Sequence, residues 1–157
     1  MNAAPRVVTI GETFSDTLAL SVESVKSFAA LVNDRNPLHH DEAYAAQSRF
    51  GGLIASGTQP TAYFMALLAT HFSRYAQPLG LEFDIKLKKA VQASDTLTLS
   101  WRVRDAYWKS SLNGDLTHLD GTVVNQRGEV LLIGTSTILV MPKGDATSKQ
   151  NAQAPAP

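Results

Sequence analysis

The octapeptide Ala62-Tyr63-Phe64-Met65-Ala66-Leu67-Leu68-Ala69 is apolar on every side when it is drawn as a helix. The surrounding sequence predicts that this helix begins near Thr58, with Pro60 in its first turn, where a missing N–H costs nothing. It is expected to continue to about Tyr75. A helix that is apolar all round is a buried helix. The rest of the chain is therefore expected to fold around residues 58–75.

This helix lies inside a longer stretch without charge. The 24 residues between Arg49 and Arg74 contain no Asp, Glu, Lys or Arg, and residues 130–142 form a second uncharged stretch of 13. Polar residues, glycine and proline fill the first half of the longer stretch, and its apolar run is far shorter than the ~20 residues of a membrane span. No signal peptide is visible. We therefore expect a soluble, cytoplasmic protein in which both stretches are buried.

Alternation of apolar and polar residues predicts strands on either side of the long helix. The predicted strands are residues 14–20, 81–88, 96–103, 117–125 and 129–141, and a tight turn at residues 126–128 joins the last two. Two shorter helices are predicted, one over residues 22–33 after an N-cap at Ser21 and one from an N-cap at Asp41 to about Ser48. One strand, then helices, then an antiparallel run of strands predicts an α+β fold in which a sheet covers the apolar helix.

Length and composition exclude several classes of protein. The 157 residues suffice for one domain, and 14 basic and 14 acidic residues give a formal net charge of zero, which argues against a nucleic-acid or anionic-membrane surface. The absence of cysteine excludes disulfide scaffolds, thiolate metal sites and cysteine nucleophiles. Residues 144–157 contain no branched or aromatic apolar side chain. We expect a single domain over residues 6–143, followed by a disordered tail.

Four histidines could titrate near neutral pH. His71, at the end of the long helix, and His118, in a strand, are expected to be packed or surface residues. His39 and His40 lie in a loop beside Asp34. Adjacent histidines in one loop rarely converge on one ion, and no distant cluster of acids or histidines completes a ligand shell, so we expect no metal site.

Asp34 and His39 form a more informative pair. Asp34 ends a helix, Pro37 makes a rigid turn, and His39 follows five residues after the acid. Such a turn can hold a carboxylate and an imidazole on either side of one water molecule, which suits the addition of water across an activated double bond. The alternative is that Asp34 only caps the helix end and His39 only packs.

The segment Asp34-Arg35-Asn36-Pro37-Leu38-His39 resembles the Asp-x-Asn-Pro-x-His signature of the MaoC-like dehydratases and (R)-specific enoyl-CoA hydratases. The resemblance extends over about residues 12–142. Its other segments are residues 28–33, 41–46, 50–57, 91–97 and 125–130. It implies the hot-dog fold, in which an antiparallel sheet wraps a long central helix.

The resemblance also implies roles for individual residues. Asp34 and His39 match the catalytic dyad of the family, and Gly57 matches the glycine whose N–H, at the start of the central helix, would hold the thioester carbonyl oxygen. The N-terminus of a helix favours negative charge that develops there. Asn36 is expected to hold the turn and one side of the water. The substrate-binding residues expected beside Asn36 are Ser56, Thr58 and Tyr63.

Three positions depart from the family pattern. Ser56 stands where the family commonly has His, and this change is expected to alter the wall of the acyl pocket. Ala90 and Ser94 stand where the family has Pro and Gly, which leaves the geometry of that loop open.

The implied activity is that of a hydro-lyase of fatty acid metabolism. It would reversibly add water to a trans-2-enoyl-CoA to give a 3-hydroxyacyl-CoA, with coenzyme A as part of the substrate and no other cofactor. An acyl-CoA thioesterase and a non-catalytic hot-dog subunit that pairs with a catalytic partner are the alternatives. The basic residues that could meet the CoA phosphates, or form a solvated strand face, are Lys86, Lys88, Lys89, Arg102 and Arg104. Because a single hot-dog sheet leaves an edge uncovered, we expect at least a homodimer.

Overall fold

The computed structural model describes residues 1–144, so residues 145–157 of the predicted disordered tail lie outside the described residues. The helices are α1 (Val22–Leu31), α2 (Glu42–Gln47) and α3 (Thr58–Phe72). The strands are β1 (Thr13–Ala19), β2 (Ala76–Leu87), β3 (Thr96–Lys109), β4 (Gly114–Val124) and β5 (Val130–Pro142). This is the predicted order of an α+β fold, with short 3-10 turns at Pro37–His39 and Ser110–Leu112.

The two short helices begin where their caps predict. The Ser21 side chain accepts the backbone N–H of Ser24, and the Ser24 side chain accepts the N–H of Ser21, so two of the free amides at the start of α1 are satisfied. Asp41 accepts the N–H of Tyr44 at 2.9 Å and starts α2. Local hydrogen bonds therefore fix both helix starts.

The transition from α3 to β2 comes earlier than predicted. The helix ends at Phe72 rather than near Tyr75, and the strand begins at Ala76 rather than after Gly80. Both Pro78 and Gly80 lie within β2. A proline is tolerated there because β2 is an edge strand that pairs only with β5, and a register shift between Gly80 and Glu82 accommodates the glycine.

Five antiparallel strands form one sheet in the order β1-β3-β4-β5-β2. The uncharged β5 lies inside the sheet, as predicted. The third strand is longer than predicted and continues past Val103 to Lys109. A register shift between Val103 and Asp105 leaves Arg104 and Asp105 both exposed, and burial resumes at Ala106. Because the alternation breaks here, the second half of β3 was not predicted from the sequence.

A row of residues across all five strands forms the surface against which α3 packs. Its members are Phe14, Trp101, Gly121, Gly134 and Ile85, each paired with the next. Phe64 of α3 stacks on Trp101 with ring centroids 4.1 Å apart, and the Trp101 Nε1–H donates to the Phe64 carbonyl oxygen at 2.8 Å. A Cβ on Gly121 would lie 2.5 Å from the Trp101 ring. The glycines thus make room for the stacked pair on which the helix rests.

The prediction that α3 is buried on every side is wrong for the single chain. Phe64, Leu68 and Phe72 are buried against the sheet, whereas Ala62 and Ala66 on the opposite side are exposed. One five-stranded sheet can cover only one side of a helix. Among the described residues, no helix is both long and apolar enough to cross a membrane.

Candidate active site

The end of α1 delivers Asp34 into the predicted turn. Asn33 adopts a left-handed backbone conformation (φ 61°), and the N–H groups of Asn33 and Asp34 donate back to the carbonyls of Ala30 and Ala29. These two bonds form a Schellman motif, which ends a helix and turns the chain sharply. The Asn36 side chain then accepts the N–H of Leu38 at 3.1 Å. Asn36 therefore holds the turn, as predicted.

His39 is anchored through one ring nitrogen and faces Asp34 with the other. Its ring is buried, and Nδ1 lies 2.7 Å from the carbonyl oxygen of Ile54. Its Nε2 lies 3.2 Å from Oδ2 of Asp34. The Ile54 N–H donates in turn to the Leu38 carbonyl at 3.1 Å, so the turn is tied to the segment that precedes α3. The structure thus brings the predicted dyad together.

Several groups favour the charged form of Asp34. The pKa of this carboxyl is below its usual value, and the main cause is the interaction with the Ser56 hydroxyl. The N–H of Asn36, 3.2 Å from Oδ1, contributes next, and the charges of His39 and His40 add to the lowering although burial opposes it. The ring of His40 lies against the Asp34 backbone, with Nε2 2.6 Å from the carbonyl oxygen. Asp34 is therefore a carboxylate at neutral pH.

Ser56 lies inside the protein and not on an open pocket wall. Its side chain is buried, and its hydroxyl is 2.7 Å from the Thr58 hydroxyl. If the Thr58 hydroxyl donates to Ser56, the Ser56 proton is free for the Asp34 carboxylate. The structure therefore places Ser56 next to Asp34, and Thr58 next to Ser56.

Gly57 is the N-cap of α3, so its N–H lies at the positive end of a 15-residue helix. Within residues 1–144 this N–H donates to no protein acceptor. The segment before it is fixed, because Ala55 donates to the Val91 carbonyl at 2.8 Å and Ala93 donates to the Leu53 carbonyl at 3.0 Å. A fixed, free N–H at a helix start is suited to bind an oxygen that carries negative charge.

His39 and Gly57 line the same groove, which has a volume of about 290 Å³. Its other lining residues include Ile54, Ala55, Pro60, Leu87 and Val91, together with the cations Arg49, Lys88 and Lys89. Arg49 was not among the basic residues selected from the sequence. The sequence could have pointed to Arg49, because this residue directly precedes the Phe50-Gly51-Gly52 segment. The groove is thus largely apolar, with cations along part of its wall.

Other residues selected from the sequence lie elsewhere. Tyr63 is 45% exposed and lines a separate groove between α3 and β1, near Phe28. Arg102 lines a depression formed by β1, β3 and β4, and Arg104 lies 3.6 Å from Asp120. Lys86 lies in a small depression between β2 and β5. Of the five basic residues, Lys88 and Lys89 therefore reach the groove that His39 and Gly57 line.

The loop that carries Ala90 and Ser94 is organised without the family's proline and glycine. Asp95 is buried, and its carboxylate accepts the Gln92 N–H at 2.8 Å and the Gln126 side chain at 3.0 Å. Ser94 has no positive φ. The backbone of this loop therefore does not require glycine there.

The remaining histidines are packed, as predicted. Buried His71 stacks on Phe14 with ring centroids 3.7 Å apart, and its Nε2 lies 2.7 Å from Glu12. His118 contacts Thr137. Among the described residues, no group of three or more His, Asp or Glu side chains is arranged to hold a metal ion.

The sheet wrapped on one helix, with the Asp34–His39 pair beside the helix N-terminus, defines a MaoC-like hot-dog protein. The chain belongs to the family described as "FAS1-like, dehydratase domain region", whose model matches residues 8–133. Proteins similar to this chain include hydratases and dehydratases.

Three proteins illustrate the similarity. The R-hydratase PhaJ1 from Pseudomonas aeruginosa is 26% identical, with a TM-score of 0.74 over 87% of this chain and 84% of that chain. The MaoC-like dehydratase from Rhodospirillum rubrum is 26% identical, with a TM-score of 0.75 over 88% and 96%. A mitochondrial 3-hydroxyacyl-[acyl-carrier-protein] dehydratase from Arabidopsis thaliana is 27% identical over 70 residues, which is 45% of this chain and 42% of that protein.

Proposed function

We propose that the chain is a hydro-lyase that reversibly adds water to a trans-2-enoyl-CoA to give a 3-hydroxyacyl-CoA. The observation that carries this proposal is the position of His39, which faces Asp34 and lines the same groove as Gly57. The carboxylate of Asp34 and the Nε2 of His39 lie 3.2 Å apart, and His39 shares its groove with the free N–H of Gly57. A pair that exchanges protons beside a site for negative charge suits addition to an alkene activated by a thioester.

In the proposed reaction, Asp34 is the base and His39 is the proton donor. Asp34 takes a proton from water while the water oxygen forms a bond to C3. The π electrons of the C2=C3 bond move into the thioester, and the negative charge collects on the carbonyl oxygen beside the Gly57 N–H. The starting form therefore needs His39 protonated on both ring nitrogens, because Nδ1–H is held by the Ile54 carbonyl, and C2 takes the proton that Nε2 carries. The dyad ends with as many protons as it began with, and proton transfer from Asp34 to His39 restores the starting form.

Two observations support these roles. Asp34 is a carboxylate at neutral pH, so it is in the form that can accept a proton. Nδ1 of His39 is engaged by the Ile54 carbonyl, so Nε2 is the nitrogen that exchanges a proton with the substrate. In the reverse reaction each takes the opposite role.

The cations of the groove support coenzyme A as the carrier. Within the described part of the chain, Arg49 and Lys88 form no ion pair, whereas Lys89 lies 3.0 Å from Glu129. Arg49 stacks over the Phe50 ring at 5.0 Å, which holds its guanidinium near the groove. Two unpaired cations beside an apolar groove suit a ligand with an acyl chain at one end and phosphates at the other.

We also propose that the protein is a homodimer. The strand β2 pairs with β5 on one side only, and Leu79 and Leu81 on β2 are 53% and 50% exposed. An unpaired edge with exposed leucines favours pairing with a second chain. Size-exclusion chromatography with light scattering tests this, and a monomer at micromolar concentration would contradict it.

The activity is tested with crotonyl-CoA by following the loss of enoyl absorbance and, in parallel, the release of free thiol. Hydration without thiol release is expected, and Asp34→Asn and His39→Ala are expected to lower kcat/KM by about 10²- to 10⁴-fold. Asp105→Asn changes an exposed carboxylate on β3, away from the proposed dimer edge, and serves as the control. Thiol release would indicate a thioesterase. No reaction with a panel of enoyl-CoAs would favour a non-catalytic subunit.

A further inference from the structure

The requirement for glycine at position 57 does not come from its backbone conformation. Its φ of −57° and ψ of −22° lie in the right-handed helical region, which every L-amino acid adopts. An N-cap position is also readily filled by Ser, Thr, Asp or Asn. The reason for glycine must therefore be sought in the space around its Cα.

Leu87 occupies that space. A Cβ on Gly57 would lie 2.7 Å from Cδ1 of Leu87 and 3.8 Å from its Cδ2, and Leu87 contributes all three of the nearest atoms. Leu87 is the last residue of β2 and pairs with Leu132, and the next residue, Lys88, donates to the Leu131 carbonyl at 2.8 Å. The backbone that carries Leu87 is therefore held by the sheet.

The Leu87 side chain also lines the groove that contains His39 and Gly57. It lines this groove with His39 and Pro60, and it is 59% exposed in spite of being fully apolar. An exposed leucine in contact with the oxyanion glycine is placed where an acyl thioester would cover it. The contact between Leu87 and Gly57 therefore affects substrate binding as well as packing.

We propose that Leu87 is a specificity-determining residue that favours acyl groups without a branch on C2. This inference rests on the proposed function. When the carbonyl oxygen accepts the Gly57 N–H, C2 is bonded directly to the carbonyl carbon and lies at the same end of the groove. A methyl branch on C2 then competes for the space that the Leu87 methyl groups fill.

The first test compares two substrates that differ by one methyl group on C2, crotonyl-CoA and 2-methylcrotonyl-CoA. Leu87→Ala is expected to raise the ratio of kcat/KM for the branched over the linear substrate by about tenfold, the lower end of what one methylene group contributes in an apolar pocket. The control is Leu112→Ala, which truncates an exposed leucine that does not line the groove. An unchanged ratio in Leu87→Ala would overturn the inference.

The second test does not depend on catalysis. The saturated thioesters butyryl-CoA and 2-methylbutyryl-CoA are not hydrated, and calorimetry gives their dissociation constants for wild type and Leu87→Ala. The variant is expected to lose most of the wild-type preference for the linear ligand. If wild type fails to hydrate crotonyl-CoA but shows this binding pattern, the proposed reaction fails and the role of Leu87 stands. If neither ligand binds, or the preference is unchanged, the role of Leu87 is overturned.

The third test addresses the contact itself. Gly57→Ala is expected to displace the Leu87 side chain and lower kcat/KM, and the double variant Gly57→Ala/Leu87→Ala is expected to recover at least fivefold over Gly57→Ala alone. Such non-additivity is the signature of two residues in direct contact. Additive losses would contradict the contact as the reason for glycine.

Discussion

Nδ1 of His39 lies 2.7 Å from the carbonyl oxygen of Ile54. A carbonyl oxygen can only accept, so this contact requires a proton on Nδ1 and leaves Nε2 as the nitrogen that gains and loses a proton. Nε2 is the atom that faces Asp34. The segment just before α3 therefore leaves Nε2 of His39 as the ring nitrogen that can take part in proton transfer.

The first prediction separates this anchor from the chemistry. In His39→Asn, the amide nitrogen can keep the contact with the Ile54 carbonyl, but the atom equivalent to Nε2 is lost. We expect a folded protein whose kcat/KM for crotonyl-CoA falls by about 10²- to 10⁴-fold. Circular dichroism reports the fold and the absorbance assay reports the activity.

His118→Asn is the matched control, because His118 lies in β4 and contacts Thr137. It is expected to retain wild-type activity. Retained activity in His39→Asn would exclude Nε2 from the proton transfers.

The second prediction concerns pH. Interaction with the Ser56 hydroxyl is the main cause of the lowered pKa of Asp34, so Ser56→Ala raises this pKa. Because the base must be unprotonated, the acid limb of the kcat/KM profile is expected to move to higher pH in the variant. In wild type the limb is expected below the usual carboxyl range, because the pKa of Asp34 is lowered. Ser136→Ala removes another buried serine hydroxyl and is expected to leave the limb in place.

The lowered pKa of Asp34 also makes the stability of the fold depend on pH. The folded-state pKa of Asp34 is below its unfolded value, so the carboxylate stabilises the fold above the unfolded pKa. This contribution is lost as the pH falls through the folded-state pKa. Denaturation measured against pH is therefore expected to show a smaller loss on acidification in Ser56→Ala. An equal loss in both proteins would contradict the role of Ser56.

The third prediction concerns the surface of the sheet against which α3 packs. In Gly121→Ala, the added methyl group would lie within 2.6 Å of both the Trp101 and Phe64 rings, which are packed and cannot rotate away. Overpacking of this kind is expected to lower the free energy of unfolding by about 1–3 kcal/mol. Urea denaturation measures the change. Gly52→Ala has no atom within 4 Å of the new methyl group and is expected to be neutral.

The turn that carries the dyad could be predicted because its geometry is local. Asn36 and Pro37 fix the turn within a few residues, and the spacing from Asp34 to His39 then determines how the two side chains meet. The strands with regular alternation were predicted for the same reason. By contrast, the second half of β3 was missed because the register shift after Val103 breaks the alternation on which the prediction depended.

The groove was only partly predictable, because its walls come from distant segments. Along a helix of about 3.6 residues per turn, Pro60 lies about 60° around the axis from Gly57, whereas Tyr63 lies about 120° away. Pro60 lines the groove and Tyr63 faces a different one. The contacts of Arg49 and Leu87 with the groove depend on the packing of the 49–57 segment against the end of β2, which no local pattern reports.

The last prediction tests the cations of the groove. Arg49→Ala and Lys88→Ala are each expected to raise the KM for crotonyl-CoA by about 3- to 10-fold with little change in kcat. Contacts to the phosphates of the carrier are made equally in the ground state and the transition state, so they affect binding alone. The effect should weaken at high ionic strength, since both side chains are near solvent. Arg102→Ala is the control, because Arg102 lies in the depression formed by β1, β3 and β4.

A substrate without phosphates distinguishes this role from a change in the groove itself. With crotonyl-pantetheine, Arg49→Ala and wild type are expected to have the same KM, because the cation has no phosphate to bind. An equal rise in KM for both substrates would show that Arg49 shapes the groove. A rise in Arg102→Ala as large as that in Arg49→Ala would place the phosphates elsewhere on the molecule.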